Sequence, residues 1–161
     1  MNKKNKGFSL IELIVVVAIM AVLMGILIPT LVKNVGKSKR GVDVNTASEL
    51  VGAMDRVFAN NTELYEKYVE DEPSIITIEW SKDVTPEDYK DNEFTYHILS
   101  DFGSVPISKW NKNLIWRISF NGENREMRIY LVDSLTATEG YEVYPETTTY
   151  TKHVKKKKIE F

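Results

Sequence analysis

The chain contains no cysteine. That one absence removes disulfides, thiolate metal sites and cysteine nucleophiles together, though it leaves the compartment open, since an exported protein can fold without disulfides. Histidine is nearly absent as well: His97 and His153 lie far apart in the sequence. There is no H-E-x-x-H zinc spacing and no glycine-rich phosphate loop. One acidic cluster, Asp83, Glu87, Asp88, Asp91 and Glu93, lacks the regular oxygen spacing of a calcium loop and reads as a solvated helix face. No enzymatic activity, metal or cofactor is therefore expected. No internal repeat is visible, and 161 residues fit one domain of ordinary size beside any membrane segment.

Charge is balanced in total but not in distribution. Residues 41–151 carry 21 acidic against 9 basic side chains. A basic stretch precedes them (Lys33, Lys37, Lys39, Arg40), and the last ten residues hold five lysines. An acidic body with basic ends is not the footprint of a dedicated nucleic-acid binder, so nucleic acid is not an expected partner. The lysine tail has no interleaved aromatics and reads as frayed and solvated.

The one long hydrophobic run is Leu13 to Val32, 20 residues without a charge. As a helix it spans about 30 Å, the thickness of a bilayer's hydrocarbon core. A cleaved secretory signal is usually shorter and ends in small residues. Here the following "VKNVGKSKRG" offers no such site, so the segment is expected to stay with the protein. Lys3, Lys4 and Lys6 precede the run and four cations follow it, so counting positive charge leaves its orientation open. Glu12 stands at the head of the run, where a carboxylate at membrane depth marks a functional position by default. Ser9 and Glu12 also have capping-box spacing, and a carboxylate in a first turn is favoured by the helix dipole.

A lysine leader, then Gly7-Phe8-Ser9-Leu10-Ile11-Glu12, then a long apolar helix resembles the processing signal of type IV pilins and pseudopilins. The resemblance covers residues 3 to 32. It implies cleavage by a prepilin peptidase between Gly7 and Phe8, N-methylation of Phe8, and a role for Glu12 in filament assembly. It also implies an orientation, with the leader inside and the C-terminal part outside. The expected partners are the peptidase, the membrane before assembly, and then other copies of the chain and minor pilins. In that setting Glu12 can meet the new α-amine of a neighbour's Phe8 in apolar surroundings, where opposite charges favour each other's ionised form. The family's frequent C-terminal disulfide has no counterpart here.

Beyond the run, Ala47, Leu50, Val51, Met54, Val57 and Phe58 recur at three- and four-residue spacing, which predicts an amphipathic continuation. One helix is expected from Phe8 to about Asn60, with Pro29 as a kink; under the pilin resemblance Pro29 also marks where the helix can loosen on assembly. A helical turn is expected around Leu64, Tyr65 and Tyr68. "SIITIEW" alternates as a half-buried strand. Thr85-Pro86 opens a second helix that places Phe94, Ile98 and Phe102 on one face and stops at Gly103, although "FTYHIL" also fits a strand. "LIWRISF-NGEN-REMRIYLV" is a hairpin with Asn121-Gly122 as its turn; loops of two or four residues both fit. "YEVYP" adds a strand ended by Pro145. Asn60-Asn61-Thr62 is a glycosylation sequon by letter only.

The expected fold is α+β: a long N-terminal helix packed by its second half on a small antiparallel sheet, with one accessory helix. The divisions are a leader (1–7), a transmembrane and assembly helix (8–32), its amphipathic continuation (33–60), a sheet head (61–151) and a basic tail (152–161). The expected function is that of a filament subunit, first a single-pass precursor in the cytoplasmic membrane and then part of an extracellular pilus. A pseudopilin of a secretion or DNA-uptake machine is the alternative within the family. A bitopic protein with an acidic binding domain is the alternative outside it.

Overall fold

The computed structural model describes residues 8–71, 75–80 and 84–160. The chain divides after Gly36 into two compact units, Met1–Gly36 and Lys37–Phe161. In the first, the described residues from Leu10 onward belong to helix α1 (Leu10–Asn60), and every residue from 8 to 35 is exposed. From Leu13 to Val32 the side chains are uncharged and, apart from Thr30, apolar, so no face of this stretch is made for water. α1 runs through Pro29, which cannot donate to the carbonyl four residues back.

In the second unit, α1 becomes the amphipathic helix that the spacing predicts. Ala47, Leu50, Ala53, Met54 and Val57 are buried, and Val51 and Phe58 border them. Asn61 ends the helix and starts the next: its side-chain oxygen accepts from the Leu64 N–H at 3.3 Å. That opens α2 (Thr62–Tyr65), which passes into a π-helical turn, Glu66–Asp71.

Five strands follow in the order β1-β2-β3-β4-β5, every neighbour antiparallel: β1 Ile75–Trp80, β2 Ile115–Asn121, β3 Glu126–Val132, β4 Glu139–Tyr144 and β5 Lys157–Lys158. The hairpin register pairs Trp116 with Leu131, Ile118 with Ile129 and Phe120 with Met127. These side chains and Ile78 and Trp80 of β1 form one buried cluster with the α1 face. Phe58 joins the layers, its ring 5.2 Å from both Phe94 and Phe120. Gly140 lets β4 approach β3: a Cβ there would lie 2.9 Å from Val132 Cγ1. The architecture is thus the α+β arrangement expected, a long helix packed on an antiparallel sheet.

Three details differ from the sequence reading. The segment after Thr85 is not one helix. Asp88 turns back to accept from the Thr85 N–H and hydroxyl at 2.6 and 2.9 Å, closing a single 3-10 turn at Pro86–Tyr89. Asn92 then caps a separate helix, α3 (Glu93–Phe102), which stops at Gly103 with φ 80°.

The hairpin turn is also displaced. Asn121 pairs with Glu126 as the last rung, leaving a four-residue loop in which Arg125 takes the left-handed conformation (φ 57°). Asn121 serves the loop through its side chain, which accepts from the Glu123 N–H at 2.9 Å.

On the outer face of the sheet Thr77 is exposed, while Arg117, Ser119 and Tyr130 are buried. Arg117, buried, pairs with Glu79 and donates to the Leu135 and Ala137 carbonyls at 2.7 Å each.

The C-terminal segment is tied down rather than frayed. After α4 (Thr147–Lys152), β5 pairs with β4. Lys157 reaches the buried Glu142 at 2.6 Å, Lys156 pairs with Asp133, and the Glu160 N–H donates to the Tyr130 hydroxyl at 3.4 Å. Acidic partners 15 and 23 residues upstream neutralise two lysines of what reads as a solvated cationic run.

Candidate functional site

The first functional region is the start of α1. Leu13 N–H donates to the Ser9 carbonyl at 3.2 Å, the first intrahelical bond, which places Ser9 at the N-cap. The Ser9 hydroxyl accepts from the Ile11 N–H at 3.3 Å, and a Glu12 oxygen accepts from the Ser9 N–H at 2.8 Å. These reciprocal bonds satisfy two donors that a helix start otherwise leaves open. Glu12 therefore acts in the single chain as a cap, and makes no ion pair among the described residues. Phe8, 89 % exposed, lies ahead of the helix. Gly7 lies outside the described residues, so the Gly7–Phe8 bond is placed only from its Phe8 side. The bonds of the cap all lie on residues 9–13, beyond Phe8.

Behind the cap, residues 13–32 present an uncharged apolar surface on all sides. α1 is long and apolar enough to cross a membrane, and none of its apolar window is buried within the chain. Exposed apolar area of this extent requires a lipid or protein neighbour.

Residues 2–28 match the model of the prokaryotic N-terminal methylation motif. The chain carries a class III signal sequence. That signal is the one borne by type IV pilins and pseudopilins, and it implies processing by a prepilin peptidase and a membrane-anchored precursor. No curated protein and no solved structure matches the chain.

The head contributes a second polar centre that sequence reasoning missed. Asp43, fully buried on α1, accepts from the Ser108 hydroxyl at 2.8 Å, the Lys109 N–H at 2.6 Å, the Trp110 N–H at 3.3 Å and the Tyr150 hydroxyl at 2.7 Å. Burial, then the bond to Asp43, raises the Tyr150 phenol far above its ordinary value and keeps it a donor. One turn earlier, Arg40 donates to the Thr151 carbonyl at 3.1 Å and lies over the Trp110 ring. The centre joins α1, the 104–114 loop and α4. Asp43, Ser108 and Tyr150 are all buried, and their bonds hold three elements together.

The other sequence candidates stay apart. Asp88 is occupied with Thr85, and Asp83 lies outside the described residues. His97 sits on α3, 4.0 Å from Glu93, one turn back on the same helix. No group of three metal-ligating side chains comes together among the described residues. A groove of about 730 Å³ opens between the end of α1 and the hairpin, lined chiefly by Met54, Phe58, Tyr65, Phe120, Met127 and Tyr144.

Proposed function

We propose that the chain is a structural subunit of a type IV pilus-like filament. In this reading it is made as a single-pass precursor, cut between Gly7 and Phe8, methylated on Phe8, and polymerised through α1. The observation that carries the reading is the uncharged, exposed helical surface of residues 13–32, most of which lies within the methylation motif. Lipid covers that surface in the precursor, and the helices of neighbouring copies cover it in the filament. Glu12 gives assembly a register. Released from capping, its carboxylate pairs with the α-amine of a neighbour's Phe8. A misregistered neighbour strands one charge in apolar surroundings at a cost of roughly 3–5 kcal/mol.

The test is to express the chain with a prepilin peptidase and a pilus assembly system, shear the cells, and identify the filament protein by mass. The chain should be a stoichiometric filament component. Recovery of the processed chain only from membranes would contradict the proposal.

A further inference from the structure

The head is acidic as a whole, yet the structure gathers cations at one of its ends. Asp43 brings the 108–110 backbone against α1 within one turn of Lys39 and Arg40. Arg40 in turn holds the carbonyl of Thr151, next to Lys152. Three stretches remote in sequence thus place Lys37, Lys39, Arg40, Lys109, Lys112 and Lys152 around one anchor. All five lysines are exposed, and none makes an ion pair among the described residues. Of the 21 acidic residues of 41–151, Asp43 at this anchor is buried and fully bonded, and Glu146, which caps the start of α4, is exposed. Apolar side chains are exposed among the cations: Val42 at 42 % and Ile107 at 37 %. Trp110, half-buried beneath Arg40, completes the set.

Cations interleaved with exposed aliphatics and an indole are the composition of a surface that lies on a bilayer. Lysine stems and apolar groups meet the interface while the ammonium groups meet lipid phosphates. We infer that this end of the head docks on anionic phospholipid headgroups while the protein is a membrane-anchored precursor. Only four residues separate Val32, the end of the uncharged run, from Lys37, so the chain keeps Lys37 within at most about 18 Å of the end of that run. The inference rests on the reading of residues 13–32 as membrane-embedded. Docking would hold the acidic remainder of the head away from like-charged lipid, and would be given up when α1 leaves the bilayer.

Full-length chain in vesicles tests this through Trp110, since Trp80 and Trp116 are each 1 % exposed. Vesicles are made from zwitterionic lipid alone, or with about a third phosphatidylglycerol, each with a headgroup-attached quencher, and a Trp110→Phe chain supplies the background. Quenching of Trp110 should be at least twofold greater in the anionic vesicles. It should fall to the zwitterionic level in about 1 M salt, where the screening length is about 3 Å. Each of the exchanges Lys109→Glu, Lys112→Glu and Lys152→Glu should lower the docked-to-free ratio by about fivefold or more, and the triple variant should abolish the difference. Flotation of the same samples reports membrane insertion separately. Chain that floats with every lipid but shows equal quenching overturns the docking inference and leaves the membrane reading standing. Chain that does not float overturns both. Quenching that follows protein density instead of lipid charge assigns the patch to a neighbour's acidic head and also overturns the inference.

Discussion

At the scale of single residues, Glu12 and Asp43 are both carboxylates on α1, and their settings differ completely. Glu12 is exposed and bonded to its own helix start at 2.8 Å from the Ser9 N–H, so it can exchange that bond for a better partner. Glu12→Gln keeps an acceptor for the Ser9 N–H but removes the charge. If the carboxylate pairs with a neighbouring amine, Gln and Ala variants should both insert and be cleaved, yet yield at least tenfold fewer sheared filaments. Normal yield from Glu12→Gln would reduce the residue to a cap. Asp43 accepts four hydrogen bonds inside the protein and has no such freedom. Asp43→Ala strands buried donors and should cost about 2–4 kcal/mol in denaturant unfolding. Tyr150→Phe removes one donor and should cost about 1–2 kcal/mol. Equal stability of Asp43→Ala and the unmodified head would show that the anchor is dispensable. The capping role of Glu12 was legible in the sequence because Ser9 and Glu12 stand at capping-box spacing. Asp43 was not, because its side-chain partners lie 65 and 107 residues away and an aspartate in a helix gives no sign of burial.

At the scale of elements, periodicity carried most of the reading. Ala47 to Phe58 and the two hairpin strands were assigned to their correct faces, because spacing of 3.6 or 2 encodes burial directly. Side chains that bond back to their own backbone were harder to read. Asp88 closing on Thr85, and Asn92 capping α3, split one predicted helix into two. The C-terminal lysines were misread for a related reason: charge density is a local signal, whereas Glu142 and Asp133, which neutralise two of them, come from other elements. The junction after Gly36 makes an element-scale prediction. A fragment beginning at Lys37 should be soluble, folded and monomeric, since it keeps the buried face of α1 and drops the apolar run. A fragment beginning at Gly41 loses Arg40 and its contacts with Thr151 and Trp110, and should be less stable by about 1 kcal/mol. Polymerisation of the Lys37 fragment at micromolar concentration would move the assembly contacts out of the apolar run.

At the scale of the whole molecule, the polar interactions point to one pH response. Burial, then the bond to Asp43, raises the Tyr150 phenol, and bonds to Glu142 and Asp133 raise Lys157 and Lys156. A group raised on folding adds stability that is complete below its unfolded pKa and fades above it. The unfolded values are about 10 for tyrosine and 10.4 for lysine. The midpoint of denaturant unfolding for the Lys37 fragment should therefore show no loss from these groups through neutral pH and fall above about pH 10. Tyr150→Phe should flatten that fall. An alkaline limb unchanged by Tyr150→Phe would place its origin elsewhere.

The chain joins a head with its own buried core to a long, exposed apolar helical run, and in the proposed function processing turns that run into an assembly device. The most direct measurement is the mass of the mature N-terminus from cells that contain a prepilin peptidase. The account predicts a chain that begins at Phe8 and carries one methyl group on its α-amine, and an uncut chain when Gly7 is replaced by a bulkier residue. An intact Met1 terminus on the mature protein, or a cut at any other bond, would contradict it.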